Sequence, residues 1–261
     1  MSGIASKGPK PRRRRRRLSR REEARRRFLR ATLVSVALLA TWPLASVPVV
    51  RRLRIRLRPP GALQGEQRFL AACIKCGQCV QVCPVQAIAL ADLFDGYGHG
   101  APYIDARAQA CDFSCDALSC ILACPTGALR HDLNAKEEVR IGTARLARPD
   151  ACLARRGEGF RGLARGAGFR GRLRYEEIDR WTAQPVAEYA YDVDLCDLCV
   201  RECPIGESAL RLEPDAAEGG ARRMTPVVGE GCVGCGVCEM ICPEEPACIA
   251  VDPSAAAEVP A

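Results

Sequence analysis

Four times along this chain, cysteines recur at short intervals and close on a Cys-Pro step. The first group, "CIKCGQCVQVCP", holds Cys73, Cys76, Cys79 and Cys83. The second, "CDFSCDALSCILACP", holds Cys111, Cys115, Cys120 and Cys124. The third, "CDLCVRECP", holds Cys196, Cys199 and Cys203, and the fourth, "CVGCGVCEMICP", holds Cys232, Cys235, Cys238 and Cys242. Such recurrence is an internal repeat, and it constrains the fold more than any other feature of the chain.

The spacing points to iron-sulfur clusters. In a tight loop, successive Cys-x2-Cys steps turn three sulfurs toward three corners of one [4Fe-4S] cluster, and the fourth cysteine, past the turn, ligates the other cluster of a pair. Structural zinc takes four ligands, usually from two separated knuckles, whereas here eleven residues carry four cysteines in two of the groups. A complete disulfide framework does not suit an odd total of seventeen cysteines. No Cys-x2-Cys-His supports a c-type haem, and His99 and His131 are too isolated for a Rieske-type centre. The third group lacks its first ligand, since Val193 occupies that place. Cys152, Cys248, Asp192, Asp194 or an open iron corner could complete it.

Around each group a short extended run leads in ("PYIDARA", "YAYDVDL", "MTPVV") and a short apolar run leads out ("AIAL", "GALR", "SALRL", "CIAV"). The exits are too short for long helices, so the expectation is one helical turn begun by Pro84, Pro125, Pro204 or Pro243, then a strand. The fold class is therefore α+β, with tandem two-cluster bacterial-type ferredoxin units over residues 65–252. The compact first and fourth groups favour a nested pairing over a sequential one. Gly77, Gly234 and Gly236 suit close backbone approach to a cluster, or simple turns. Residues 154–194 are Gly/Arg-rich and read as a surface insertion, a docking arm or inert loop. Its two G-x-G-x-x-G matches, at Gly157-Gly159-Gly162 and Gly166-Gly168-Gly171, lack the strand and helix of a dinucleotide site.

Charge separates the chain into two parts. Residues 1–60 hold 19 Lys/Arg against 2 Asp/Glu, and residues 61–261 hold 20 against 29. A basic region over 1–30 precedes the apolar run 31–50, which is followed by a basic linker, 51–64; residues 253–261 form a tail. Twenty residues at about 1.5 Å each can just cross a hydrocarbon core of roughly 30 Å. Arg25, Arg26, Phe28, Leu29 and Arg30 resemble a twin-arginine export signal. That reading displaces a nucleic-acid arm, and the flanking charge predicts a cytoplasmic N-terminus and an exported acidic domain. Thiols bound for an oxidising periplasm are protected when clusters are assembled before export of the folded protein. Nothing in the sequence suggests an acid/base pair, nucleophile or substrate pocket.

Taken together, the signal, "RPPGAL" (Arg58 to Leu63), "FLAACIKCGQCVQVCP", "ACPTGAL", "CDLCVRECP" and "CVGCGVCEMICP" resemble the NapG/MauM family of ferredoxin-type proteins over roughly residues 20–252. The resemblance implies a periplasmic protein with four [4Fe-4S] clusters and no catalytic residues of its own, associated with the inner membrane through its N-terminal segment or a partner. It would relay electrons from a membrane-bound quinol dehydrogenase subunit of the ferredoxin type to a periplasmic redox partner such as a multihaem cytochrome. The systems implied are nitrate reduction or amine dehydrogenase maturation; another molybdenum oxidoreductase, or an exported metal-binding scaffold, is the alternative. It also implies Cys152, in "ACLA", as the missing ligand, displaced by an insertion of 43 residues. Cys111-x3-Cys115 is one residue wider than the family pattern.

Overall fold

The computed structural model describes residues 20–51, 56–92, 98–115, 118–174, 182–215 and 223–253, with side chains in the first stretch described only to residue 39. Most of the basic region (1–19), part of the linker (52–55), part of the insertion (175–181) and nearly all of the tail lie outside the described residues. The chain divides into two units, residues 1–51 and 52–261. The first contains helix α1, Arg20–Arg51, with Glu22 and Glu23 in its first turn. Among the described residues, no helix is long and apolar enough to cross a membrane. Side chains 40–50 of the apolar run lie outside that description.

In the second unit, α2 (Glu66–Ala72) leads into the first cysteine group, in which α3 (Gln78–Gln81) carries Cys79 and ends just before Cys83. Strand β1 (Ile88–Leu90) leaves this group, β2 (Pro102–Ile104) approaches the second, and α4 (Ser119–Leu122) lies within it. Then follow β3 (Thr143–Leu146), α5 (Leu153–Arg156), β4 (Phe160–Leu163), β5 (Arg172–Leu173), β6 (Gln184–Pro185) and β7 (Ala190–Val193). The third group holds α6 (Leu198–Arg201) and exits through β8 (Leu210–Pro214). Strand β9 (Met224–Val228) leads to the fourth group, which holds α7 (Val237–Ile241) and exits through β10 (Ile249–Asp252).

Strand pairing makes two copies of one plan. The exit from group one pairs antiparallel with the approach to group two (β1 with β2), and the exit from group three pairs with the approach to group four (β8 with β9). Each copy is closed by its ends: Ala62 bridges Leu129 in the first, and β3 pairs with β10 in the second. Two-stranded sheets are marginal alone. Here each pair lies against a cysteine loop, and Phe69, Ile121, Leu198, Met240 and Ile241 are almost fully buried beneath them.

Three expectations change. First, the helical turns precede the Cys-Pro steps. A residue before proline is pushed from the helical region into extended backbone, as at Cys242 (φ −57°, ψ 121°), so the helix must stop before it. Proline instead begins a β-turn, in which the Gln86 and Gly206 N–H groups donate to the Cys83 and Cys203 carbonyls at 3.2 and 3.1 Å.

Second, the Gly/Arg-rich insertion is built into the core. Strands β4 and β7 form a four-residue antiparallel ladder at its base, and Ala164, Leu173 and Val186 are buried in one cluster with Leu198, Val237 and Met240. Its sparse apolar residues are spaced so that these three reach inward, while Arg165 stacks 4.0 Å from the Phe169 ring centroid. The Gly/Arg/Phe composition thus serves contacts within the chain. The glycines of its first G-x-G-x-x-G match run from helix α5 to strand β4, the reverse of a dinucleotide site.

Third, Gly234 and Gly236 are required by protein neighbours. A Cβ on Gly234 would stand 2.3 Å from the Gly142 backbone, and one on Gly236 would stand 2.5 Å from the Ala106 Cβ. Both have positive φ, 72° and 91°.

Gly234→Ala is expected to combine left-handed strain of ~1–2 kcal/mol with overpacking of ~1–3 kcal/mol. Gly127→Ala, where φ is 68° but no atom lies within 4 Å of the added carbon, should show the strain alone. Denaturant unfolding of the two variants compares them, and equal losses would contradict the packing assignment.

Candidate metal centres

Sixteen of the cysteines gather into four sets, each combining three of one group, with Cys152 counted in the third, and one from the group it pairs with. Site I is a hollow lined by Cys73, Cys76, Cys79 and Cys124. Site III is lined by Cys152, Cys196, Cys199 and Cys242, and site IV by Cys203, Cys232, Cys235 and Cys238. Site II joins Cys111, Cys115 and Cys120 to Cys83. Burial and then Cys120 raise the Cys111 thiol; burial, with Cys83 adding, raises Cys115; burial, then Cys115 and Cys83, raise Cys120. Groups one and two therefore exchange Cys83 and Cys124, and groups three and four exchange Cys203 and Cys242. This is sequential pairing, not nested: each β-hairpin ties consecutive groups together and brings α3 against α4 and α6 against α7.

Local backbone explains the shared loop shape. Lys75, Phe113 and Gly234, each two residues after the first cysteine of its loop, all have positive φ (59°, 54° and 72°). A second left-handed position, at Gly77, Leu118 and Gly236, caps the helical turn that follows. The loop widened by one residue at Cys111-x3-Cys115 keeps both features.

The split third group is closed in space. The Cys196 N–H donates to the Glu158 carbonyl at 2.9 Å, and Phe160 pairs with Val193, so the insertion leaves and returns at one point. Asp192 and Asp194 lie 2.7 and 3.5 Å from Arg161, and their side chains are 77% and 81% exposed. They face solvent, which removes them as oxygen ligands. Cys248 is different: it is buried, lines the site III hollow as a fifth thiol, and its N–H donates to Cys242 Sγ at 3.3 Å. His99 and His131 are exposed.

All seventeen cysteines are free of disulfides. Burial pushes Cys79 and Cys196 up to about 11 and Cys235 up to about 12, with neighbouring thiols adding to each. Burial, followed by Cys242 and Cys152, likewise pushes Cys248 up to about 12. Four thiolates in one such hollow need compensating cationic charge, which metal coordination supplies. Among the described residues, no three His, Cys, Asp or Glu side chains converge on a point fit for one ion. A tetrahedral zinc site would bring its sulfurs to ~3.8 Å from one another, given bonds of ~2.3 Å. Donors spread around a hollow fit a cluster, which carries its ligands on the outside.

Backbone N–H groups complete the fit. Ala87 and Ala144 donate to Cys83 Sγ and Cys232 Sγ at 3.3 and 3.4 Å. At Cys124 burial acts upward, but the N–H groups of Thr126, Leu129 and Ala128 outweigh it and lower the thiol. Such bonds favour the thiolate and tune the potential of a bound cluster. When bound, the cluster would supply one-electron exchange; the chain provides ligands, N–H donors and a largely apolar lining.

Arg107 was not singled out from the sequence. Its guanidinium donates to the carbonyls of Glu239, Cys242 and Glu244 at 2.6, 2.9 and 2.7 Å and pairs with Glu245 at 2.7 Å. It thereby fixes the fourth Cys-Pro step from the approach to the second group. A single arginine in "DARAQAC" carried no signal of this.

Comparison with known proteins agrees with the geometry. The family described as a 4Fe-4S dicluster domain matches residues 72–128 and 194–245, one match over each consecutive pair of groups. The ferredoxin-type protein NapG of Escherichia coli (strain K12) is 34% identical over 235 residues, covering 88% of this chain and 85% of that one. The methylamine utilization ferredoxin-type protein MauM of Paracoccus denitrificans is 36% identical over 218 residues, covering 81% and 79%. MauM of Methylorubrum extorquens is 33% identical over 186 residues, covering 71% and 67%. No solved structure matches.

Cys152→Ala is expected to remove one cluster, whereas Asp192→Asn, Asp194→Asn and Cys248→Ala should each leave the cluster count unchanged. Iron and sulfide analysis with low-temperature electron paramagnetic resonance (EPR) reads the difference.

Proposed function

This chain belongs to the NapG/MauM family of ferredoxin-type iron-sulfur proteins, and on that footing we propose that it is an exported relay with four [4Fe-4S] clusters. Like its family it is an electron carrier rather than a catalyst. In this reading Cys73, Cys76, Cys79 and Cys124 serve site I, and Cys83, Cys111, Cys115 and Cys120 serve site II. Cys152, Cys196, Cys199 and Cys242 serve site III, and Cys203, Cys232, Cys235 and Cys238 serve site IV. The observation that carries the proposal is the repeated three-plus-one gathering of thiols around a hollow.

Electrons arrive from a membrane-bound quinol dehydrogenase subunit of the ferredoxin type and leave to a periplasmic redox partner such as a multihaem cytochrome. The system served is nitrate reduction or amine dehydrogenase maturation, and relatives named for methylamine utilization support the latter. Export by the twin-arginine route follows from Arg25 and Arg26 ahead of the apolar run, together with cysteines that need their metal before reaching an oxidising compartment. The same N-terminal segment, or a partner, holds the protein at the membrane.

Anaerobic reconstitution should yield ~16 irons and ~16 sulfides per chain, four of each per cluster; bound zinc with almost no iron would overturn the relay. Replacing Arg25 and Arg26 together by lysine should strand the loaded protein in the cytoplasm, as fractionation would show.

A further inference from the structure

The order of the cysteine groups along the chain differs from the order of the sites in space. Within each pair, ligand exchange makes the sites neighbours: I beside II through Cys83 and Cys124, and III beside IV through Cys203 and Cys242. The pairs meet where the second group's approach touches the fourth group. There the Cys111 N–H, from site II, donates to the carbonyl of Cys235, from site IV, at 3.3 Å. The Ala110 N–H donates to Met240 Sδ at 3.3 Å, and the Ile141 N–H to the Val233 carbonyl at 2.8 Å. The close approaches of Gly234 to Gly142 and of Gly236 to Ala106 lie on the same seam.

We propose that the relay runs in the spatial order I, II, IV, III, with sites II and IV as its inner members and sites I and III as its ends. This rests on the four-cluster reading above. The bonded path from Cys111 Sγ through its own backbone N–H, across one hydrogen bond to the Cys235 carbonyl and on to Cys235 Sγ, joins a ligand residue of one pair directly to a ligand residue of the other. Cys111 and Cys235 are both buried, which suits an inner crossing. Site I suits an end, because Cys76 is the one exposed cysteine of the seventeen. Each transfer moves one electron from a reduced site to an oxidised neighbour, without a bond or proton changing. The quinol-oxidising partner supplies the electrons and the periplasmic redox partner accepts them.

The test uses the full-length, cluster-loaded protein, fully reduced, and reads magnetic interaction between sites by pulsed EPR. Cys115→Ala, which removes the site II centre, should abolish the splitting on site I and reduce that on site IV, leaving the coupling between III and IV intact. Cys76→Ala, which removes the site I centre, should alter site II only. If Cys115→Ala does not fold, Cys115→Ser serves instead, since a retained centre with an altered signal labels its neighbours equally well. Alteration of the site III or IV signal on loss of site I, or an unchanged site IV on loss or relabelling of site II, overturns the order. A wild-type iron content well below ~16 would overturn the four-cluster reading itself, separately from the coupling pattern.

Discussion

Thiolate charge in an apolar hollow is the constraint from which the rest of this structure follows. Each site needs sulfur ligands ionised, yet at its most buried cysteines burial, with neighbouring thiols adding, pushes the thiol well above its ordinary range, to about 12 at Cys235. Bound metal is the favourable term that offsets both, and backbone N–H groups aimed at sulfur assist it. The chain must therefore hold several sulfurs on one point, wall them from water and leave N–H groups free to turn inward. A loop meets these demands better than a regular helix or sheet, whose N–H groups are already committed to backbone carbonyls.

Loops that rich in left-handed positions need support, and they obtain it by pairing. The exit from one group and the approach to the next form a hairpin, and the two ends of each copy close against one another. Proline sharpens the arrangement. By excluding helical backbone at the preceding cysteine it ends the helical turn there, and the fourth ligand lies beyond the turn, facing the neighbouring site. Exchange of that ligand makes two sites one cooperative object, since neither set of four is complete without the other group.

Much of the candidate site was legible because ligand chemistry writes itself into short local spacing. The three-plus-one division followed from the Cys-x2-Cys steps and the Cys-Pro closure. What was not legible depended on residues far apart in sequence. The Gly/Arg-rich composition of the insertion concealed that Ala164, Leu173 and Val186 enter the core, because three small or medium apolar side chains carry no periodic signal over so long a stretch. Compactness of the first and fourth groups suggested a nested pairing; hairpins joining consecutive groups decided otherwise. Gly234 and Gly236 stood out as glycines beside a metal, yet their need arises from Gly142 and Ala106, more than ninety residues upstream.

Sequence by itself determined the metal chemistry, the repeat, the α+β class and the family, since each rests on residue types at intervals of a few positions. Only the tertiary structure decided which groups pair, that Cys152 and Cys248 approach the split third group while Asp192 and Asp194 face away from it, and which site of one pair faces the other. Those outcomes depend on strand ladders and side-chain packing between segments separated by tens to more than a hundred residues. The contact of Cys111 with Cys235 is of this kind: two backbone groups meet because Arg107, Gly142 and Gly234 hold their loops together, and no local pattern records it.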